Sequence, residues 1–473
     1  MAELHDLAAL EQAAAIRAGQ LSPVELVDHY LDRIDRLGMT VGAFVTVTAE
    51  AARAAARAAA AAVRSGGGDV PPLHGVPTAI KDLALTAGVR TTLGSAAYAD
   101  FVPQLDSHVV TLLRAAGTIS LGKTNTPEFG LPCYTEPEVA PPARTPWDLG
   151  RSAGGSSGGA AAAVAAGLVP FAQGSDGGGS VRIPASVCGL FGVKVSRGRV
   201  SNGPLGGDVN GLGWSGPLAR TVADAAAMLD AMAVPMPGDP HWAPPPPRPF
   251  LTYADPDRLG GPLRIGRYRA PGVIEDRLHP DCLAAYESAS SVLEKLGHEV
   301  EDIEAPFGPG AMPLFLTLWS VGAALTPVDG ADEARLRPLT RYLRERGRVV
   351  SGPQYCAAYA DLQQQSRQAI VRTAAYDAVL VPTLAEPPAP VGGLRNDDDP
   401  AAELERQIAF TPYTAVYNVT GQPAVNVPLH WTDEGLPIGV MLVGRPADEA
   451  TLLALSAQLE ATVPWRDRHP DIW

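Results

Sequence analysis

Cationic charge, cysteine and unbroken apolar sequence are all in short supply in this chain. Lys and Arg number 37 against 51 Asp and Glu, giving a formal net charge of −14. That deficit argues against nucleic acid or an anionic membrane surface as the main partner, since both require a basic footprint. The first residues carry Glu3, Asp6 and Glu11 without a basic segment, so no secretory signal is read there. The uncharged run 305–328 is interrupted by Pro306, Pro313 and Pro327, and reads as a buried or pocket-lining helix rather than a membrane span. Four cysteines (Cys133, Cys188, Cys282 and Cys356) lack metal-ligand spacing. They read as inert buried thiols of a reduced, cytoplasmic protein, and no motif calls for a metal or a cofactor. What is present is enough apolar sequence, 46% of 473 residues, to bury a large core. Gly 49 and Pro 45 make up about a fifth of the chain, below the range of low-complexity sequence.

Periodicity places amphipathic helices at 6–18 and 23–37, the second with Ser22 as N-cap and Pro23 in its first turn. An alanine-rich helix at 50–64 is closed by Ser65, Gly66, Gly67 and Gly68, and a β-branched run over 73–82 delivers Lys81 near its end. Helix over 107–116 and strand over 119–123 lead into a loop and helix start at 124–129. Strand, helix and strand over 263–268, 280–296 and 298–303 favour an α/β sheet with helices on both faces. Between them and a helix at 221–232 runs the proline-rich connector 235–249. Residues 335–372 read as a solvated helical cap of mixed charge, within a helical region spanning about 305–375. A strand at 377–382 and a hairpin of 425–429 with 438–443, turning at 432–435, complete the core. Asp397, Asp398 and Asp399 read as a solvent loop rather than a cation site. The connector does not separate two cores, so residues 1–473 are expected to form one domain.

The densest chemistry lies between Arg151 and Val200. Two glycine-walled serines, Ser156 and Ser180, stand 24 positions apart in Gly154-Gly155-Ser156-Ser157-Gly158-Gly159 and Ser175-Asp176-Gly177-Gly178-Gly179-Ser180-Val181-Arg182. The small apolar residues between them predict a helix opened by Ser157 and closed by Gly167, then a strand over 168–174 and a helix over 180–188. A phosphate loop would need a lysine followed by Ser or Thr to close the glycines, which is missing. A dinucleotide fingerprint would need a strand before Gly154, where Thr145-Pro146-Trp147 stands. Gly154 to Gly158 formally matches a nucleophile elbow. However, His241, His279, His298, His430 and His469 have no motif around them. A lysine held neutral by burial is another way to activate a serine. Lys81 ends an apolar run that would place it inside, although a lysine at a strand end can equally snorkel to solvent.

The whole motif set resembles the amidase signature family, in order and spacing. It comprises Gly75-Val76-Pro77 with Ile80-Lys81-Asp82, Gly122 to Phe129, Gly154 to Gly159, Gly174 to Ala185, and Tyr417 to Pro428. The resemblance implies a large mixed, twisted β-sheet sandwiched between layers of α-helices. It also implies a catalytic Ser-Ser-Lys set: Ser180 as nucleophile, Ser156 as bridging serine after a cis peptide bond, and Lys81 as base. Backbone N–H groups of Gly177, Gly178, Gly179 and Ser180 would form the oxyanion hole, with Ser157, Asp176 and Arg182 as supporting residues. Many members carry a β-branched residue at the position of Gly177, a departure that suggests a roomier or more flexible acyl pocket here. Val195-Ser196 departs from a common proline-containing pair, which touches only local loop geometry.

Several stretches look most like nylon-oligomer amidases and related carbamate-cleaving members, among them Thr135 to Glu138, Gly150 to Ser152 and Ser180 to Gly189. Implied is hydrolysis of linear small-molecule amides, aryl or synthetic amides included, with urethanase action on aryl carbamates as the alternative. Phe129, Tyr134 and Trp319 are candidates for an apolar pocket wall. A glutaminase subunit of a tRNA amidotransferase would need a glutamine site, an ammonia channel and partner subunits, and the acidic surface and the 335–372 cap do not favour it. An inactive scaffold fits poorly with Lys81, Ser156 and Ser180 all present, and fatty-amide hydrolysis at a membrane lacks an anchor. The expected partner is a small amide or carbamate, and a homodimer is compatible with the sequence.

Overall fold

Short β-branched runs alternate with helices along the chain, and in a computed structural model they assemble into one eleven-stranded sheet. The structure describes residues 3–65, 70–206 and 209–473, so the glycine stop expected at 66–68 lies outside the described residues. In chain order the strands are β1 (Phe44–Val47), β2 (Pro77–Lys81), β3 (Ile119–Thr124), β4 (Phe171–Asp176), β5 (Phe191–Lys194) and β6 (Trp214–Ala219). They continue with β7 (Arg264–Arg267), β8 (Glu299–Asp302), β9 (Ala378–Pro382), β10 (Ala424–Trp431) and β11 (Pro437–Gly444). Their order is β1-β3-β2-β4-β6-β5-β10-β11-β9-β7-β8. Parallel pairs join β2 to both β3 and β4, and β7 to both β8 and β9, while the remaining neighbours are antiparallel. The sheet is therefore mixed, as the family resemblance implies. The connector 235–249 does not interrupt it, because β10, beyond the connector, pairs with β5, before it.

Burial explains why the central strands read as continuous apolar runs rather than alternating ones. All residues of β2, β5, β6, β9 and β11 are buried, as expected for strands covered on both faces. Helix Gly158–Ala165 is buried along its whole length. Its small side chains let it approach the sheet closely. At Gly159 a Cβ would stand 2.3 Å from the amide nitrogen of Asn125 and 2.5 Å from the carbonyl of Ala43, so only glycine fits.

Several expectations are corrected by the structure. Ser157 precedes this helix but makes no side-chain cap. Its hydroxyl instead donates to the Ser175 carbonyl and accepts from the Ser175 amide, both at 3.2 Å. Ser22, by contrast, does accept from the Val24 amide at the start of helix Pro23–Leu37. Of the four cysteines only three are buried. Cys356 lies exposed on helix Gly352–Thr373, because it faces away from the stripe formed by Ala358, Leu362 and Ala369. The expected cap consists of helices Ala311–Leu325, Pro338–Arg348 and Gly352–Thr373, and it is only partly solvated. Leu339 and Leu343 pack with Ala323 in a small core of their own. Asp397 is paired with Arg337 and Arg395, and Asp399 caps helix Pro400–Phe410 through the Ala402 amide. Among the described residues, no helix is long and apolar enough to cross a membrane.

Candidate active site

The parallel register of β2 against β4 pairs Ile80 with Gln173 and so carries Lys81 to the same sheet edge as Ser175 and Asp176. Ligands of open α/β sheets characteristically gather at such carboxyl ends of strands. Lys81 does not snorkel; it is completely buried. Its Nζ donates to Ser156 Oγ at 2.7 Å, Ser175 Oγ at 3.0 Å and the Ser175 carbonyl at 3.1 Å. Burial lowers its pKa to about 7, with the nearby Asp176 charge opposing the shift.

Burial alone does not distinguish this lysine, because Lys123 and Lys194 are equally enclosed. Burial lowers them as well, to about 8 and about 7. The difference is where the amine points. Lys123 Nζ is engaged by the Ala84 carbonyl and Thr91 Oγ1 beside Asp82, and Lys194 Nζ donates to the Val195 carbonyl. Only Lys81 reaches a serine hydroxyl on a cavity wall.

Ser156 follows a cis peptide bond from Gly155, and its carbonyl accepts from Thr126 Oγ1 at 2.9 Å. Ser180 follows the glycine turn, and its carbonyl accepts from the Ser157 amide. Both serines line one cavity of about 590 Å³, together with Gly177, Ser175 and Gln173. No hydrogen bond joins the Ser180 hydroxyl to Ser156 among the described residues, and the Ser180 side chain faces the cavity.

The turn that carries Ser180 is braced by Asp176. Its carboxylate accepts from the amides of Gly179 (2.8 Å) and Val181 (3.1 Å), from Arg182 Nε and Nη2 (both 2.9 Å), and from Asn418 Nδ2 (2.9 Å). Burial by itself would raise this carboxyl, but the Arg182 charge and the hydrogen bonds from Arg182 and Asn418 outweigh it and hold the group well below the usual carboxylate range. Arg182 is completely buried and also donates to the Thr414 carbonyl (2.9 Å) and Asn418 Oδ1 (2.7 Å). Because the Gly179 amide is committed to Asp176, it is not available to an oxyanion. The amides of Gly177, Gly178 and Ser180 have no intramolecular acceptor among the described residues.

Two other expectations change. Phe129 and Trp319 do line the cavity, but Tyr134 does not. Its ring is buried behind the site, and its hydroxyl donates to Glu403 at 2.5 Å, so the hydroxyl serves the core rather than a ligand. The space beside Gly177, expected to be roomy, is narrowed by Trp319. A Cβ there would meet the Trp319 ring at 3.3 and 3.4 Å.

The sequence reading overlooked Ser175, Asn418 and Thr414. Thr414 Oγ1 donates to the Gly178 carbonyl at 2.6 Å, and Asn418 also donates to the carbonyls of Asp176 and Leu212. Ser175 adjoins Asp176 in the glycine-rich stretch, and Asn418 lies in the 417–428 run, so both carried a signal. Thr414 carried none.

Fold and sequence together fix the class. A family model described as Amidase matches residues 25–453, and the chain belongs to the amidase signature family. It is an amidase, a hydrolase acting on amides. Among its relatives, a putative amidase AmiB2 of Mycobacterium tuberculosis is 40% identical over 467 residues, covering 98% of each chain. The 6-aminohexanoate-cyclic-dimer hydrolase of Paenarthrobacter ureafaciens is 35% identical over 492 aligned positions, covering 98% of this chain and 96% of that one. A solved 6-aminohexanoate cyclic dimer hydrolase matches the structure at a TM-score of 0.90 and 32% identity over the whole of both chains. A bacterial aryl acylamidase matches at 0.87 and 27% identity, covering 98% of this chain and 97% of that one.

Proposed function

We propose that this amidase hydrolyses the C–N bond of linear small-molecule amides, aryl amides included, through an acyl-enzyme on Ser180. The observation that carries the proposal is the 2.7 Å hydrogen bond from a completely buried Lys81 amine to Ser156, a serine sharing a cavity wall with Ser180. A lysine lowered to about 7 is half neutral at physiological pH, and a neutral amine can accept a proton. Lys81 takes a proton from Ser156 Oγ as Ser156 takes one from Ser180 Oγ, which attacks the amide carbon. The amides of Gly177, Gly178 and Ser180 receive the forming oxyanion, and the Asp176–Arg182 pair holds the turn that presents them. Ser156 passes a proton to the leaving nitrogen, the C–N bond breaks, and water cleaves the ester on Ser180. The relatives that act on a cyclic amide dimer and on aryl amides support synthetic and aryl amides as substrates.

A carbamate differs from an amide by one oxygen on the acyl carbon, so the same groups can attack it. Aniline release from a matched aryl amide and aryl carbamate tests the reading, with Ser180→Ala as control. Amide turnover is expected to fall roughly a thousandfold or more in the variant. Turnover of the amide that survives Ser180→Ala, or its absence in the unaltered enzyme, refutes the proposal. The ratio of the two rates separates amidase from urethanase action.

A further inference from the structure

Two cavities meet at Ser180, and their chemistry differs. The larger, about 590 Å³, also contains Ser156, Gly177 and polar groups such as Asn202 and Ser215. A smaller one, about 70 Å³, lies on the other side of Trp319 and is walled by Ile183, Met312, Phe315, Leu316, Leu404 and Ile408. Ser180 and Trp319 belong to both, Gly178 only to the smaller and Ser156 only to the larger. Phe315 and Trp319 stack at 5.4 Å with an interplanar angle of 23°, forming a partition over the glycine turn. The Phe315 ring comes within 3.5 Å of the Cβ position of Gly178, as the Trp319 ring does for Gly177.

From this partition we infer that the acyl part of the substrate occupies the small apolar pocket and the leaving amine the large cavity, so that the enzyme takes amides of short, uncharged acids with bulky amines. The inference rests on the serine–lysine mechanism proposed above. In the tetrahedral adduct the reacting carbon carries Ser180 Oγ, the oxyanion, the leaving nitrogen and the acyl chain. The oxyanion faces the amides of the glycine turn. The leaving nitrogen must receive its proton from Ser156 Oγ, and Ser156 is in the wall of the large cavity alone. The proton released by Ser180 thus ends on the departing amine as the C–N bond breaks. The acyl chain is left with the small pocket.

That pocket cannot compensate an ionised acyl group. Among the described residues no charged side chain lines it. Its polar side chains are already committed: Gln407 accepts from the Cys133 amide and donates to Glu403, and Thr411 donates to the Gln407 carbonyl. A carboxylate or ammonium there would be desolvated without a partner. Length is limited as well, since the pocket holds only about 70 Å³ and an acyl chain that outgrows it costs roughly tenfold or more in kcat/KM.

The test uses the purified enzyme and 4-nitroanilides of acetic, butyric, hexanoic, decanoic and succinic acids, followed by acetyl amides of aniline and 2-naphthylamine. The inference predicts a fall of roughly tenfold or more from butyryl to decanoyl, and a larger fall for succinyl. Exchanging aniline for naphthylamine should change the rate by less than about threefold, because the large cavity, at about 590 Å³, has room for either amine. Leu404→Ala should move the chain-length optimum to longer acids, and Met312→Ala serves the same purpose if the first variant does not fold. Efficient turnover of decanoyl or succinyl anilides combined with rejection of naphthylamides places the acyl group in the large cavity and overturns the inference, leaving the hydrolase mechanism intact. An unchanged profile in both folded variants overturns it too. Failure to cleave any of these amides refutes the proposed function itself.

Discussion

A lysine kept neutral inside a protein leaves a thermodynamic trace that requires no substrate to detect. Lys81 titrates near 7 in the folded chain and, like any free lysine, near 10.4 when unfolded. Between those values the unfolded state binds about one proton more than the folded state, so stability must rise with pH across that window. Below pH 7 both states are protonated and the cost of burying the ammonium is fully present. Replacing the amine by an apolar chain of similar length, Lys81→Met, removes this linkage while leaving that of Lys123 and Lys194 in place. The comparison between the two proteins therefore isolates one group. At about 1.4 kcal/mol per pH unit for one proton, the unaltered enzyme should gain about 2–3 kcal/mol relative to Lys81→Met between pH 7.5 and 9.5.

The variant should be inactive throughout. It should be most favoured in stability at the acid end, where hydrogen bonds lost at Ser156 and Ser175, worth about 1 kcal/mol each, no longer outweigh the buried charge. Unfolding a chain of 473 residues carries an entropy of about 1 kcal/mol per degree, so the expected change is about 2–3 °C in the Tm difference. Differential scanning calorimetry at matched scan rates resolves that. A Tm difference independent of pH over this range would mean that Lys81 stays protonated in the folded enzyme, and the proton relay would lose its base.

Two further predictions concern the brace beneath Ser180. Asp176→Asn leaves the completely buried Arg182 guanidinium without its counter-charge, and chemical denaturation should show a loss of about 3–5 kcal/mol. A change below 1 kcal/mol would show that the pair contributes little to the turn. Gly179→Ala forces a side chain onto a residue at φ 134° and brings its Cβ to 2.4 Å from Thr414 Oγ1. It should lower both Tm and kcat, and a variant with unchanged kcat would sever the link between this turn and the chemistry.

How much of this was legible in the sequence depended on whether a residue's neighbours were local. The helix and strand around Ser156 and Ser180 could be placed because runs of small apolar residues between glycines leave few alternatives. Strand β6 has no counterpart in the sequence reading: Gly216 and Pro217 are poor strand formers, yet pairing with β4 buries every residue from Trp214 to Ala219. Lys81 stood out only through family resemblance, since sequence alone cannot tell a buried amine aimed at Ser156 from the equally buried Lys123 and Lys194. Tyr134 was misassigned because an aromatic near a motif looks the same whether its hydroxyl faces a ligand or Glu403. The supports of the glycine turn were the hardest to foresee. Thr414 and Asn418 lie more than two hundred positions away and meet Gly178 and Asp176 only through tertiary packing.

Trapping the acyl-enzyme is the most direct test of the mechanism. Rapid acid quench of the enzyme with an aryl amide, followed by intact-mass and peptide mapping, should show one acyl group per chain, carried by Ser180 and absent from Ser180→Ala. An adduct on any other residue, or turnover by Ser180→Ala at the rate of the unaltered enzyme, would contradict the assignment of Ser180 as nucleophile.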